Sequence, residues 1–424
     1  MADRASIAPS GPEHDSFVPD RGVTTPTGAE VIVVGGGLAG ASAAYHLARA
    51  GMHPLVLEAR SGARGSLGHN VGLAAAGVDG HFEHATRIVK AAGGRSILDY
   101  TAHSLDMLEA WDAELPGGLG WKRAGSLHLA LDDDEALHLR ELGAAQRAEG
   151  LAVEVITRKS LGGLLPHMAV GEVRAAKWTP GDGTVDPARS TAALLEAVRS
   201  LGGTVVKGVR VKRIRVSGGR VGGVGTSHGD IDAALVLLAA GAGTPALAPH
   251  LSPGLARIQR TVCATESLPF RIGDPAFVTS RGARSWRQMP TGEIVIGGLV
   301  SVDSSSSEGP REAPRRLVDL LARLHPRMAG VRIVGHATTL LADSALGIPM
   351  AGGLPSESGV PLPGGYVLAG LGDHGHALAP ILGRLVAELI ADGEARTLPL
   401  APFDPARHVG RAGTSPDERA TAGR

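Results

Sequence analysis

Residues 30–58 constrain this chain more than any other stretch. The apolar run Val31–Val34 leads into Gly35-x-Gly37-x-x-Gly40. A helical stretch follows with Ala44, Leu47 and Ala48 at core spacing, and Gly51 closes it. A second apolar run, Leu55–Leu57, ends on Glu58. Strand, glycine turn, helix, strand is a βαβ unit, and each glycine has its own reason to be there. Gly35 allows the tight turn, Gly37 lets the backbone approach a pyrophosphate, and Gly40 lets helix pack on strand. Leu38 and Ala39 open the helix, whose first N–H groups and partial positive charge suit an anion. Glu58, eighteen residues past Gly40, is placed to accept hydrogen bonds from ribose hydroxyls. A glycine triplet alone means little in a chain of 61 glycines. With both strands, the helix and the acidic end, it predicts a dinucleotide site.

Composition narrows the partners. The 424 residues suffice for two domains with proper cores, and 43% apolar with 20% charged is ordinary for a globular protein. Net charge is zero and aromatics are 3%, which argues against nucleic acid and against an anionic membrane. No apolar run approaches a membrane span. Cys263 stands alone, so no disulfide framework or cysteine metal cluster forms within the chain, and a reducing cytoplasm is expected. Residues 1–28 are polar and lack the basic start and apolar middle of a signal peptide. They are expected to be a disordered leader, and residues 405–424 a disordered tail.

Along the chain, a glycine-rich loop at 60–80 precedes helical spacing at 82–114. Trp121–Leu131 alternates like a strand, and Asp132–Glu135 begins a helix. Thr204–Val206, Val209–Val216 and Val221–Val224 read as strands, with Ser217–Arg220 as a hairpin turn. Ala234–Ala239 is a fully apolar run ending at Gly241, as suits a buried parallel strand. Strands are expected at 258–264 and 293–300, and helices at 188–200, 312–324 and 380–391. Tyr366–Ala369 again feeds a glycine-rich turn, Gly370-Leu-Gly-Asp-His-Gly-His-Ala377, and then a helix. Three such turns, near 35, 241 and 372, imply a nucleotide domain assembled from separated segments. The boundaries expected are 29–110, 180–250 and 331–404 for that domain, and 111–179 with 251–330 for the other.

These residues resemble the FAD-dependent D-amino-acid oxidase family, which includes glycine oxidase, sarcosine oxidase and dimethylglycine dehydrogenase. The resemblance spans about residues 29–405. It rests on the N-terminal fingerprint, Asp182-Gly-x-Val-Asp-Pro187, Leu-Leu-Ala-Ala-Gly241, Gly-Glu-Ile-Val-Ile-Gly-Gly298 and, most specifically, Gly370-x-x-x-His374-Gly375-x-x-x-Ala-Pro380. The Gly-Asp turn of aromatic hydroxylases is a weaker match, since Asp373 here runs straight into His374-Gly375. The resemblance implies an α/β fold: a discontinuous Rossmann-type FAD-binding domain and a second α+β substrate domain on a mixed, largely antiparallel sheet. It implies that Ala59, Arg60, Ser66 and Asn70 contact FAD beside the fingerprint residues. Val211, Ala240 and Gly241 would lie along the dinucleotide, and Gly372, Asp373, His374, Gly375, His376 and Ala377 beside the isoalloxazine ring.

His69, in Gly65-Ser-Leu-Gly-His69, falls where dimethylglycine and sarcosine dehydrogenases bond a histidine to the flavin. Gly68 replaces the tryptophan of that pattern, and a histidine there also serves as a hydrogen-bond partner, so both roles stay open. The arginine with which glycine oxidase clamps a carboxylate corresponds, on Pro349-Met-Ala-Gly352, to Leu341. The lysine that monomeric sarcosine oxidase carries after its turn is Ala377, and no lysine follows Lys212. Candidate substrate residues are therefore Arg287, as an alternative clamp, Trp286, as a wall or a cation-covering ring, and Asp343, as an ammonium partner. His81 and His84 are spaced for one helix face, but no further metal ligand is indicated.

The implied chemistry is oxidation of a C–H bond next to nitrogen in an amine or amino acid, with His374 and His69 tuning the ring or relaying protons. Without a second nucleotide fingerprint, O2 or an electron-accepting protein is the expected oxidant. A flavin subunit of a hetero-oligomer and a flavoprotein without turnover are the alternatives.

Overall fold

The computed structural model describes residues 22–60, 70–78, 81–280, 284–300 and 312–409. Its first sheet has six strands in the order Met350–Pro355, Pro361–Ala369, Leu235–Leu238, Val31–Val34, Pro54–Glu58 and Thr204–Lys207. All neighbours pair in parallel except the edge strand Met350–Pro355. Val31–Val34 is buried along its whole length, as a parallel strand covered on both faces must be. Helix Leu38–Arg49 crosses over to Pro54–Glu58, and helix Gly375–Asp392 packs beside it. The two helices touch closely: Ser42 Oγ donates to the Pro380 carbonyl at 2.8 Å, and a Cβ at Gly383 would come 2.9 Å from the Ala43 nitrogen.

The second sheet has eight strands in the order Ile333–Ser344, Leu255–Thr265, Ile294–Val300, Arg284–Gln288, Ala276–Thr279, Ser126–Ala130, Ala175–Thr179 and Glu154–Ile156. Only Ala276–Thr279 with Ser126–Ala130 is a parallel pair. This is the α/β architecture with a mixed, largely antiparallel second sheet that the resemblance implies. Local signals place several elements. Asp132 caps helix Asp133–Ala148, and Ser96 with Asp99 forms a capping box on Ile97–Glu114, each satisfying otherwise unpaired N–H groups.

Four boundaries need correction. Ile333–Ser344, expected in the nucleotide domain, is the edge strand of the eight-stranded sheet, paired to Leu255–Thr265 over its length. Residues 22–28 are not a free leader: Gly28 bridges Asp232, the Asp232 N–H donates to the Thr27 carbonyl at 3.0 Å, and Val23 packs on the core. Residues 405–409 are not tail, because Pro405–His408 forms a 3-10 turn and His408 is fully buried. The last helix begins at Gly375 rather than 380. Pro380 is the sixth residue of that helix, inside it, so the hydrogen bond its N–H would give the His376 carbonyl is absent. Among the described residues no helix is long and apolar enough to cross a membrane.

Candidate active site

The three glycine turns meet. Strands Pro361–Ala369, Leu235–Leu238 and Val31–Val34 are adjacent and parallel, so the turns at 370, 240 and 35 leave the same edge of the sheet. The crevice beyond the carboxyl ends of such strands is where doubly wound folds bind ligands.

The residues there suit a dinucleotide. Gly35 has φ 108°, and a Cβ on it would overlap the Ala239 carbonyl. A Cβ on Gly40 would overlap the Gly35 carbonyl. Gly37 is different: a Cβ there meets nothing within 4 Å, and the same holds for Gly241. Gly241 has φ 54°, which by itself favours glycine, but Gly37 has an ordinary extended backbone and no packing need for glycine, so the space in front of it is left for something else. Gly37 caps Leu38–Arg49 without a side-chain bond, and Ala39 and Gly40 lie in its buried first turn. The Glu58 carboxylate ends the second strand, where Oε2 accepts from the Gly36 N–H at 2.8 Å and Oε1 from Arg60 N–H at 2.9 Å. A carboxylate has about four acceptor positions, so it retains capacity for hydroxyl donors. Ala59 is half-buried beside it, and Arg60 is exposed. Val211 is buried against the same core as Ile32, Val34 and Leu57, and Ala240 is half-buried behind the open Gly241.

The turn at 370–377 is anchored from the other sheet. Gly372 has φ 50°, and a Cβ there would overlap the Asp343 carboxylate. Asp343 in turn bridges Leu371, which places Asp343 against the turn. Asp373 pairs with Arg260, a buried residue of Leu255–Thr265. His374 is half-buried, its ring edge-on to His81 at 5.6 Å. Gly375, His376 and Ala377 are buried. His376 is fully buried, and burial, reinforced by the charges of Arg287 and Arg260, pushes it down to about 3. Its imidazole is neutral at any ordinary pH, and neither ring nitrogen has a hydrogen-bond partner.

Arg287 lies on the same side. Nη1 donates to Thr184 Oγ1 at 2.8 Å and Nη2 to the Val185 carbonyl at 2.6 Å. Gly72 makes room for it, since a Cβ there would lie 3.2 Å from Nη2. The neighbouring loop is held by Asn70, whose Oδ1 accepts from the Gly72 N–H at 2.9 Å. Asp182 holds it as well, accepting from the Ala76 N–H at 2.8 Å and from Ser126 Oγ at 2.6 Å. Between the loop and the sheet, Val71, Val262, Val295 and Met289 form an apolar cluster.

Trp286 does not join this group. It is fully buried on the opposite face of its strand, stacked on Phe277 at 5.4 Å, with Nε1 donating to His325 Nε2 at 3.2 Å. Alternation along a strand sends neighbours to opposite faces, so with Arg287 facing the turn, Trp286 faces the core. Leu341, at the clamp position, is buried. Ser66 and His69 lie outside the described residues. Arg260 escapes a reading of the sequence alone, although a lone charge between Ile258 and Val262 is a usable signal for it, and Asp182 enters that reading only as part of the Asp182–Pro187 motif, without a role.

A family model described as FAD dependent oxidoreductase matches residues 30–389. The glycine oxidase of Geobacillus kaustophilus is 26% identical over 91% of this chain and 98% of that protein. Its crystal structure superposes with a TM-score of 0.78 at 22% identity, covering 91% of this chain and all of that one (100%). The 4-methylaminobutanoate oxidase (formaldehyde-forming) of Paenarthrobacter nicotinovorans is 30% identical over 53% of this chain, which amounts to 26% of that longer protein. The match across most of its length, together with the glycine turns gathered at one sheet edge, makes this chain a member of the FAD-dependent oxidoreductase family.

Proposed function

We propose that this chain oxidises a carbon–nitrogen bond of a small amine or amino acid. Both relatives named above are oxidases of amino compounds by name. The observation that carries the reading is that the glycine turn is tied, through Asp373 and Arg260, to a sheet face that carries Arg287 beside the apolar Val262 and Val295.

Gly37 and the first turn of Leu38–Arg49 would hold the pyrophosphate of FAD and Glu58 a ribose, with Val211, Ala240 and Gly241 along the dinucleotide. Gly372–Ala377 would flank the ring. Bound there, FAD supplies the two-electron acceptor for a C–H bond adjacent to nitrogen. The apolar cluster Val71, Val262, Val295 and Met289 excludes water and favours an uncharged amine. His376, kept neutral, presents a polar ring without adding a buried charge. Asp343, beside the turn, would attract the ammonium form on its way in.

Anaerobic mixing of the flavin-loaded protein with N-methylated amines and amino acids tests the reading. Bleaching of the 450 nm band is expected with at least one of them, and a ring that no amine reduces would sink it. Peroxide yield on readmitting air separates reoxidation by O2 from reoxidation by an electron-accepting protein.

A further inference from the structure

Among the described residues, Val78 is the only one other than glycine with a left-handed backbone, at φ 39°. A β-branched side chain avoids that region. Such a conformation persists only where the surroundings over-determine it, and here they do so residue by residue. The Val185 N–H donates to the Gly72 carbonyl at 2.9 Å, and Leu73–Ala74 pairs with Gly183–Thr184. The Ala76 N–H donates to Asp182 Oδ1 at 2.8 Å. The Gly77 carbonyl accepts from Gln146 Nε2 at 3.2 Å, and the Val78 carbonyl from the His81 N–H at 3.2 Å.

Two of these ties are buried side chains, each fixed by a second one. Ser126 Oγ donates to the other oxygen of Asp182 at 2.6 Å. Lys177 Nζ donates to Gln146 Oε1 at 2.9 Å. A lysine only donates, so this contact decides which end of the amide is oxygen and turns the NH2 end to the Gly77 carbonyl. Gly77 belongs to the same fit, since a Cβ there would stand 2.2 Å from Gln146 Nε2. Lys177 lies opposite His128, two residues from Ser126 on its strand, so both supports rise from one face of the sheet. The register carries that face through Val278, Ser285 and Gly297 to Val262, and Arg287 shares it with Ser285.

The segment so held reaches both walls of the candidate site. Gly72 lies against the Arg287 guanidinium. Buried Val78 lines a cavity under the glycine turn together with Asp343, Leu371 and His374.

We infer that Gln146 with Lys177, and Asp182 with Ser126, are positioning residues, two buried arms that hold residues 76–78 in the strained shape that binding of FAD requires. The strain gives the arms a signature that general support of the fold lacks. With both arms in place, the rest of the fold carries the strain at Val78. With one arm cut, Val78 relaxes toward an ordinary backbone and draws the segment away from the turn. Glycine has no such preference, so a glycine at 78 keeps the shape without the arm.

Gln146→Glu cuts one arm and little else. Its carboxylate is a stronger partner for Lys177, but it has no N–H for the Gly77 carbonyl. FAD titrated into the flavin-free protein, followed by flavin fluorescence, is expected to bind this variant about tenfold more weakly. Val78→Gly alone is expected to change the affinity by less than about threefold, relief of strain offsetting the added chain freedom. Combined with Gln146→Glu, it is expected to recover most of the loss. Should Gln146→Glu not fold, Lys177→Met leaves the amide free to turn over and is expected to show the same loss and the same recovery, with Lys177→Arg restoring part of the affinity. Unchanged FAD affinity in Gln146→Glu or Lys177→Met would overturn the inference. So would a loss that Val78→Gly deepens, which would make the arms ordinary supports of the fold. The titration uses no substrate, so failure of the amine-oxidation reading leaves its outcome untouched.

Discussion

Arg260 and Asp373 form an ion pair that joins the two sheets, one residue from the second strand of the eight-stranded sheet and the other from the turn that follows strand Pro361–Ala369 of the six-stranded sheet. The pair is unequal in burial, with 6% of the Arg260 side chain exposed against 24% for Asp373. Water at the carboxylate end moderates what the pair contributes, while the arginine end has no such relief.

Removing the carboxylate's charge should therefore hurt at least as much as removing the arginine, because it leaves the more buried charge without its partner. Arg260→Ala is expected to lower unfolding free energy by about 2–3 kcal/mol, at the low side of a broken buried pair because Asp373 is partly hydrated. Asp373→Asn keeps a hydrogen-bond acceptor for Arg260 but leaves its charge unbalanced. Denaturant unfolding of both variants, with FAD affinity measured alongside, checks whether the turn loosens together with the fold.

The glycines of the first turn should separate folding from cofactor binding. Gly40→Ala forces a methyl into the Gly35 carbonyl and should destabilise the protein by about 1–3 kcal/mol with or without flavin. Gly37→Ala meets no protein atom within 4 Å, so the flavin-free protein should lose only the N-cap preference for glycine over alanine, about 1 kcal/mol or less. Its FAD affinity should nonetheless fall. Equal affinity in the two variants would mean that nothing approaches Gly37.

Acid should unfold this protein through its buried histidines. Burial pushes His46 and His376 down to about 3 and His325 to about 4. The unfolded chain binds these protons from about pH 6.5 downward while the folded chain refuses them, so stability is full above pH 6.5 and falls as pH drops toward 4. Each such group adds a slope of up to about 1.4 kcal/mol per pH unit. Urea midpoints between pH 7 and 4.5 should show the fall, and His46→Gln should make it shallower.

Trp286 offers a test of which face of its strand meets the site. Trp286→Ala should lose about 3–5 kcal/mol of stability by emptying the stack on Phe277. At a temperature where the variant is folded, the half-saturating concentration for any substrate found should be unchanged. A selective rise in that value would return Trp286 to the substrate wall.

Acid precipitation of the holoprotein addresses His69. Flavin colour is expected in the supernatant, with His69 acting as a non-covalent neighbour. Colour held in the pellet would assign a bond to the flavin.

What is legible in the sequence is whatever is local. The βαβ unit, the helix start at Asp132 and the hairpin turn at Ser217–Arg220 each depend on residues a few positions apart, and each signal lies within one window. Ile333–Ser344 falls to the wrong domain because its pairing partner, Leu255–Thr265, lies some 80 residues earlier and leaves no mark on the strand's own sequence. Alternation separates Trp286 from Arg287 but does not say which of them looks toward the turn. Arg260 is hidden for a related reason. Its role depends on Gly297 and Asp373, one a missing side chain on a neighbouring strand and the other a residue of a distant turn.

The order of the strands also sets a timetable for synthesis. Helix Leu38–Arg49 leaves the ribosome early, but the helix that covers it, Gly375–Asp392, comes from the far end of the chain, as does Pro361–Ala369, the neighbour of Leu235–Leu238. At ribosomal speeds the apolar flank of the first helix waits roughly twenty seconds or longer for its cover. A nascent chain of this design has to keep that flank sheltered until residues 375–392 have been made.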